Sequence, residues 1–511
     1  MKKRAIPTNL YNCVLWLFVF VAIFVKCYKI DSRSFSLDEL YAVCAALEPN
    51  YHQFLQNWVL YDSNLPLYYF FLRFWLKIFP ATEFWARFPS VIFVLLASWF
   101  FINGIRKRFH HGEWKSLLFL VGCSYSFLFF AQEARAYAML LLFTVLQLLY
   151  FVDLLQPEEK NFRRKLLYFT VFSILSSYTH YTGILVSALL FGILMVCHYK
   201  QISTLKKLIA AVFMSFAAGL LWLPYFWIIL KIDKSFLIDQ DFTIAKEIIS
   251  MLFFGYSTIG KYASIAVLAA LPLLVYFSWP QILKTRSAYS IILLLALFFV
   301  LIIALSPIIP YFYYYRHYII LVPVVLLAIA ILLSFVDLSK NTQNILIVAA
   351  IIIVVSEGAT HYKSKREEWR QAVAYIVKSN GSQHSKVIVI GEPWEKTHLE
   401  YLQIDPGYLN LAIRKKIFYQ YYFDRFDKKH QLELVVLRPD NKQIQNYINS
   451  ELRQNNQIYL LSNGGEFSGN IKHLQLDKGI SFAKKEFYVH DVYSFLSRAL
   501  YDNTFIQHVK R

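Results

Sequence analysis

Residues 136–155 read Ala-Tyr-Ala-Met-Leu-Leu-Leu-Phe-Thr-Val-Leu-Gln-Leu-Leu-Tyr-Phe-Val-Asp-Leu-Leu. A helix needs roughly 20 mostly apolar residues to cross a bilayer, and this stretch supplies them with one acid, Asp153, near its end. Comparable runs lie on either side, at 11–28, 88–105, 116–130, 166–180, 183–198, 208–230, 260–277, 288–306, 318–335 and 345–357. Together they predict about eleven membrane-spanning helices.

Composition agrees. Hydrophobic residues make up 57% of the 511 and charged residues 17%, against about 45–50% and 25% for soluble chains. Those values exclude a disordered chain, a fibrous repeat and an ordinary cytosolic enzyme. The net charge of +19 would suggest nucleic acid in a soluble protein. Here the cations flank apolar runs, so membrane topology and lipid headgroups account for them and no nucleic-acid partner is expected. The five cysteines form neither a disulfide framework nor a CxxC metal pattern.

Met1-Lys2-Lys3-Arg4 precedes the first run, which ends Val25-Lys26-Cys27-Tyr28 with no small-x-small cleavage pattern. A retained first helix with a cytoplasmic N-terminus is expected. Segments then predicted to be cytoplasmic carry Arg106-Lys107-Arg108, Arg163-Arg164-Lys165 and Lys206-Lys207, as the positive-inside rule requires. The stretch 29–87 reads as a long external loop holding an amphipathic aromatic segment, Leu65 to Phe79, that lies in the interface.

From about Gly358 the composition changes: charges are frequent and apolar runs short. Glu368–Ser379 has a helical period, Asn441–Arg453 reads as a second helix, and Lys386–Gly391, Glu433–Leu437 and Gln457–Ser462 read as strands. The fold class is therefore a polytopic α-helical membrane protein with a C-terminal extramembrane α/β domain. The expected domains are 1–357, membrane-embedded and carrying loop 29–87, and 358–511, periplasmic. Neither a dinucleotide fingerprint nor a P-loop opens any helix.

The chemistry-bearing residues gather in segments predicted to share the external side. The first loop holds Ser36-Leu37-Asp38-Glu39, followed by Asn64-Leu65-Pro66-Leu67-Tyr68-Tyr69. Arg87-Phe88-Pro89-Ser90 opens the second spanning run, and Gln132-Glu133-Ala134-Arg135-Ala136-Tyr137 lies in a later turn. Thr179-His180-Tyr181 and Arg316-His317-Tyr318 complete the set, the latter after the aromatic run Tyr311–Tyr315. Carboxylates and arginines converging at an interface suit a substrate with a phosphate leaving group: a carboxylate takes the acceptor's proton and arginines stabilise the departing phosphate. Plainer readings stand beside this one. Asp38-Glu39 suits a helix cap, Arg87 a snorkelling arginine, His180 a solvated turn residue, and the aromatics before Arg316 an interfacial belt.

In their order and loop placement these motifs resemble the dolichyl-phosphate-mannose-protein mannosyltransferase-like membrane glycosyltransferases of the GT-C class. Bacterial relatives of that family include the transferase that adds aminoarabinose to lipid A. The resemblance covers roughly the first 330 residues and departs at Asn64-Leu65, where the bacterial members often carry His-Pro. It implies inverting transfer of a sugar from a polyprenyl-phosphate-linked donor to an extracytoplasmic acceptor, a lipid, glycan or protein. By resemblance Asp38 is the catalytic base with Glu39 its neighbour. Tyr68, Arg87, Glu133, Arg135, His180, Tyr181 and Arg316 are the substrate or phosphate-binding candidates. Some relatives bind a divalent ion near the first loop, but no spacing here specifies metal ligands, so no metal site is assigned. The implied location is a bacterial inner membrane. The competing classes are a lipid-linked-sugar transporter or flippase, against which the lack of internal repeats and of broken helix pairs argues, and a glycan polymerase or ligase.

Overall fold

The computed structural model describes residues 8–61, 64–109, 113–156, 161–222, 243–305, 315–336, 340–364, 368–380, 384–390, 411–437, 441–453, 457–463, 480–487 and 490–497. Two compact units divide them. The first draws on Met1–Ile30, Val59–Leu230 and Lys234–Ser364, and the second on Asp31–Trp58 and Lys365–Arg511.

The first unit is helical. Helices from Thr8–Cys27 to Lys340–Lys363 cover the described parts of the predicted spans; 116–130 is divided between Glu113–Cys123 and Tyr125–Phe129, and residues 223–230 and 306 lie outside the described residues. Six described helices are long and apolar enough to cross a membrane, and a bent pair makes a seventh. Cys13–Cys27, Tyr181–Cys197 and Arg286–Phe298 are shorter apolar stretches. Tyr137–Leu154 and Arg316–Ser334 are the innermost spans, 78% and 89% buried within the unit. Ile202–Trp222 and Thr258–Lys284 bury only 11%, which leaves their apolar surfaces for lipid.

Local chemistry sets the irregularities. Helix Glu83–Arg108 contains Pro89, which has no N–H for the carbonyl four residues back. That carbonyl belongs to Trp85, and it accepts instead from the Trp75 indole at 2.7 Å. The pair Trp114–Cys123 and Tyr125–Gln132 is bent by 58°. At the break the Tyr125 N–H turns to the Phe253 carbonyl at 3.1 Å, and the Ser126 hydroxyl donates to the Met251 carbonyl at 2.5 Å. The segment expected at the interface forms helix Leu67–Ile78. Tyr68, Tyr69, Leu72, Arg73 and Leu76 are buried while Phe74 and Ile78 are exposed, the two-faced pattern of an amphipathic helix.

The second unit is α/β. Its described sheet has five strands, β1 Ser385–Ile390, β2 Leu432–Leu437, β3 Gln457–Asn463, β4 Ile480–Phe487 and β5 His490–Ser497, in the order β2-β1-β3-β5-β4. β1 runs parallel to β2 and β3, and β5 is antiparallel to β3 and β4. Helices Trp369–Asn380 and Asn441–Arg453 lie where the sequence period puts them. Helix Leu411–Phe426 and the β4–β5 pair were not anticipated.

Contacts group the residues around the expected boundary as follows. The break falls at Ser364–Lys365, and the loop segment Asp31–Trp58 joins the second unit rather than the first. Aromatic burial is the reason. The Phe35 N–H donates to the Tyr422 hydroxyl at 3.0 Å, Phe35 packs on Tyr421 and Trp58 packs on Phe418. Arg370 donates to the carbonyls of Asp31 at 2.9 Å and Ser32 at 2.5 Å.

Candidate functional site

Within the first unit, polar side chains from four segments meet at one end of the bundle. The turn Gln132–Ala136 precedes helix Tyr137–Leu154 and is wholly buried. Gln132 anchors it, its amide donating to the carbonyls of Lys26 at 3.1 Å and Tyr28 at 2.9 Å and to the Tyr362 hydroxyl at 2.7 Å. The Ser90 hydroxyl holds the Glu133 carbonyl at 2.6 Å.

On that anchored turn Glu133 and Arg135 point to different partners, as residues two apart do. Glu133 Oε2 lies 3.8 Å from Arg316 Nη1. Arg135 Nη1 donates to the Tyr69 hydroxyl at 3.2 Å. Glu133 is 1% exposed and Arg135 5%, so the unit keeps charge away from water, which is costly without paired partners. Arg316 opens the helical stretch Arg316–Ser334, and its guanidinium lies over the Phe129 ring at 5.6 Å.

The neighbour of Arg316 extends the cluster. His317 Nδ1 and the Tyr181 hydroxyl are 2.5 Å apart, and the His317 ring centre is 5.1 Å from that of His180. His180 stacks obliquely on Tyr181 at 4.4 Å and approaches Tyr137 at 5.7 Å. Its backbone pairs with that of Asn64 in an isolated antiparallel bridge. That bridge brings the Asn64–Tyr69 segment to the turn between helices Phe162–Thr179 and Tyr181–Cys197. Gly183 allows the tight turn: a Cβ there would sit 2.3 Å from the Ser176 carbonyl oxygen.

His180 is not a solvated turn residue. It is fully buried and caps helix Tyr181–Cys197, its Nδ1 accepting from the Thr182 N–H at 3.2 Å. A neutral ring accepting at Nδ1 carries its proton on Nε2, and Nε2 has no hydrogen-bond partner among the described residues. Tyr68 is buried to 1% beside Tyr69.

Arg87 is also buried to 1%. Its Nη1 donates to the Ile30 carbonyl at 2.8 Å, which ties the second spanning helix to the end of the first helical segment. Sequence reasoning omitted Asn64, Tyr69, Tyr137 and His317 from the candidate site. His317 and Tyr69 adjoin residues that were chosen, so their signal was the motif itself. Asn64 stands in a motif but was set aside as a departure from the family pattern, and the bridge to His180 shows its place.

The second unit holds Asp38 and Glu39. Helix Leu37–Leu47 begins with a complete capping box. The Ser36 N–H donates to Glu39 Oε2 at 2.9 Å, and the Glu39 N–H donates to Ser36 Oγ at 3.4 Å. Glu39 is fully buried, whereas Asp38 is half-buried. The adjacent acids therefore differ: Glu39 closes the helix end, and Asp38 occupies the second helical position without a part in that box. The Tyr311–Tyr314 part of the aromatic run before Arg316 lies outside the described residues. Among the described residues no three His, Cys, Asp or Glu side chains converge as metal ligands would.

The fold and this cluster define a class, a polytopic helical membrane protein with a buried, arginine-bearing polar site at one end of its bundle. In structure it is similar to ArnT from Cupriavidus metallidurans bound to undecaprenyl phosphate, with a TM-score of 0.55 and 11% identity over 94% of this chain and 97% of that one. It is likewise similar to the same protein in the apo state, with a TM-score of 0.56 and 11% identity over 96% and 99% of the two chains. The likeness runs through both units and shows a common fold. No protein-family model matches the sequence, and no curated protein matches it.

Proposed function

We propose that this chain is an integral-membrane inverting glycosyltransferase that moves a sugar from a polyprenyl-phosphate-linked donor to an extracytoplasmic acceptor. The observation that carries the reading is the cluster of buried Glu133 and Arg135 with the partly buried Arg316 in the first unit. Two arginines held close together, one buried and one partly buried, are what a departing phosphate needs. The shared fold with a protein whose crystal structure holds undecaprenyl phosphate supports a polyprenyl-phosphate carrier here.

In this reading Asp38 is the general base. The acceptor hydroxyl attacks the anomeric carbon, its proton passes to the Asp38 carboxylate, and the bond from that carbon to the phosphate oxygen breaks on the opposite side. The configuration inverts, and the carrier phosphate leaves with its charge against Arg135 and Arg316. Tyr68, His180 and Tyr181 bind the sugar or phosphate, and Glu133 positions Arg316. Arg87 braces the Ile30 carbonyl. Glu39 fixes the start of the helix that carries Asp38. The enzyme works in a bacterial inner membrane, with the site and the second unit on the periplasmic side.

The test is sugar release from a panel of radiolabelled polyprenyl-phospho-sugars, comparing the purified chain with Asp38→Asn. Transfer or hydrolysis that collapses in the folded variant supports the reading and names the donor. Equal turnover by both proteins removes Asp38 from the mechanism. If no donor turns over with any acceptor extract while labelled lipid crosses proteoliposome membranes, the chain is a flippase and the enzyme reading fails.

A further inference from the structure

We propose that the first unit carries a seat for one acyl chain of an anionic phospholipid, with the phosphate held at Arg106. A groove of about 670 Å³ runs between helices Thr8–Cys27, Glu83–Arg108 and Glu113–Cys123. Leu15, Phe18, Leu95 and Trp99 make most of its wall apolar. Its wall runs along the first helix from Leu15 to Lys26, a span of about 17 Å at 1.5 Å per residue. That is close to the hydrocarbon depth of one leaflet, half of a core about 30 Å thick. The floor is shaped for close approach: a Cβ on Gly122 would lie 2.3 Å from the Phe18 ring.

The two ends differ, and the difference selects the headgroup's position. At one end the Lys26 ammonium is buried and donates to the carbonyls of Ala22 at 3.3 Å and Gly122 at 3.2 Å. Its charge is bound to the helix ends, and the space beside it suits a chain terminus. At the other end Arg106 stacks on Trp114 at 5.2 Å, and Lys115 approaches the same ring at 5.9 Å. Arg106, Lys107 and Lys115 are exposed, and Arg108 beside them is engaged by Asp153. An indole flanked by exposed cations at the mouth of an apolar groove is the arrangement that a lipid phosphate complements. The charge pattern predicts this end to be cytoplasmic, where anionic headgroups concentrate.

The experiment exchanges the full-length detergent-purified protein into equal phosphatidylglycerol and phosphatidylcholine with identical acyl chains. Retained lipid is counted by native mass spectrometry. Wild type is expected to retain phosphatidylglycerol at least tenfold over phosphatidylcholine. With each cation near a headgroup contributing roughly a factor of five, Arg106→Gln with Lys115→Gln should remove that preference. These substitutions keep long side chains at an exposed site, so folding is preserved. Ser98→Phe, which fills the groove, should lose both lipids. Equal retention of the two lipids by wild type, or a preference that survives the double substitution, overturns the proposal. So does displacement of phosphatidylglycerol by undecaprenyl phosphate that depends on Arg106, which would make the groove a carrier seat.

Discussion

Helices Glu83–Arg108 and Tyr137–Leu154 are bounded by charge at both ends, and the two ends are built on different terms. In their C-terminal turns Arg108 forks onto Asp153 with two 2.7 Å bonds, and Lys165 adds a third contact at 3.1 Å. Both carboxylate oxygens are taken up by cations of the protein itself, and three helices are pinned together. At the opposite end Glu133 meets Arg316 at 3.8 Å and Arg135 reaches Tyr69 at 3.2 Å. Those contacts hold the groups near one another at more than the 2.7–2.9 Å or so of a short charge-assisted bond. The first end is a completed structural joint. The second gathers two arginines, a carboxylate and a tyrosine from three separate segments at longer range.

Arg135 is the sharpest place to break this comparison. Arg135→Gln keeps a donor for Tyr69 but removes the charge. It should lower turnover of the polyprenyl-phospho-sugar on the order of 10²–10³-fold, the scale for loss of one group that stabilises a developing oxyanion. Detergent-solubilised protein should elute and melt as wild type does. Unchanged turnover would make the outer cluster a second joint.

Asp153→Asn probes the other end and should do the reverse. Arg108 and Lys165 would lose their shared anion, and stability should fall by roughly 2–3 kcal/mol, below the full penalty for a dry pair because the site is partly exposed. Thermal denaturation reads the loss, and turnover per folded molecule should stay within about twofold of wild type.

A smaller contrast lies within the second unit, between neighbouring acids. Ser36→Ala removes one half of the capping box and should destabilise that unit by about 1 kcal/mol. Glu39→Gln preserves the box, since glutamine serves at the third position, and should leave both stability and turnover nearly unchanged. Loss of turnover in Glu39→Gln that matches Asp38→Asn would show that the two acids act together in the chemistry rather than dividing cap from base.

The helical framework was legible because an apolar run long enough to span a bilayer has few alternatives. Residues 136–155 and 318–335 announced the innermost helices by apolar density alone. The strands β1, β2 and β3 were legible because short apolar runs alternate there with helical periods. The β4–β5 pair was not, since Ile480–Phe487 carries Lys484, Lys485 and Glu486 and lacks a buried-strand pattern. The candidate site was half legible. Its arginines and carboxylates stood out as charges in apolar surroundings, and Tyr69 and His317 stood in the same motifs, but the partners of all of them were seen only in the structure.

Sequence by itself therefore determined the class of protein, the positions of the long apolar helices, the change to an α/β region and the charged residues of the turns. Each depends on local composition, which a bilayer or a sheet reads one segment at a time. Tertiary structure alone decided that Glu133 faces Arg316, that His180 is buried against Asn64 and His317, and that Asp31–Trp58 packs with the second unit. These facts join residues tens to hundreds of positions apart. Such contacts depend on which buried polar groups and aromatic faces satisfy one another, and no local pattern records that choice.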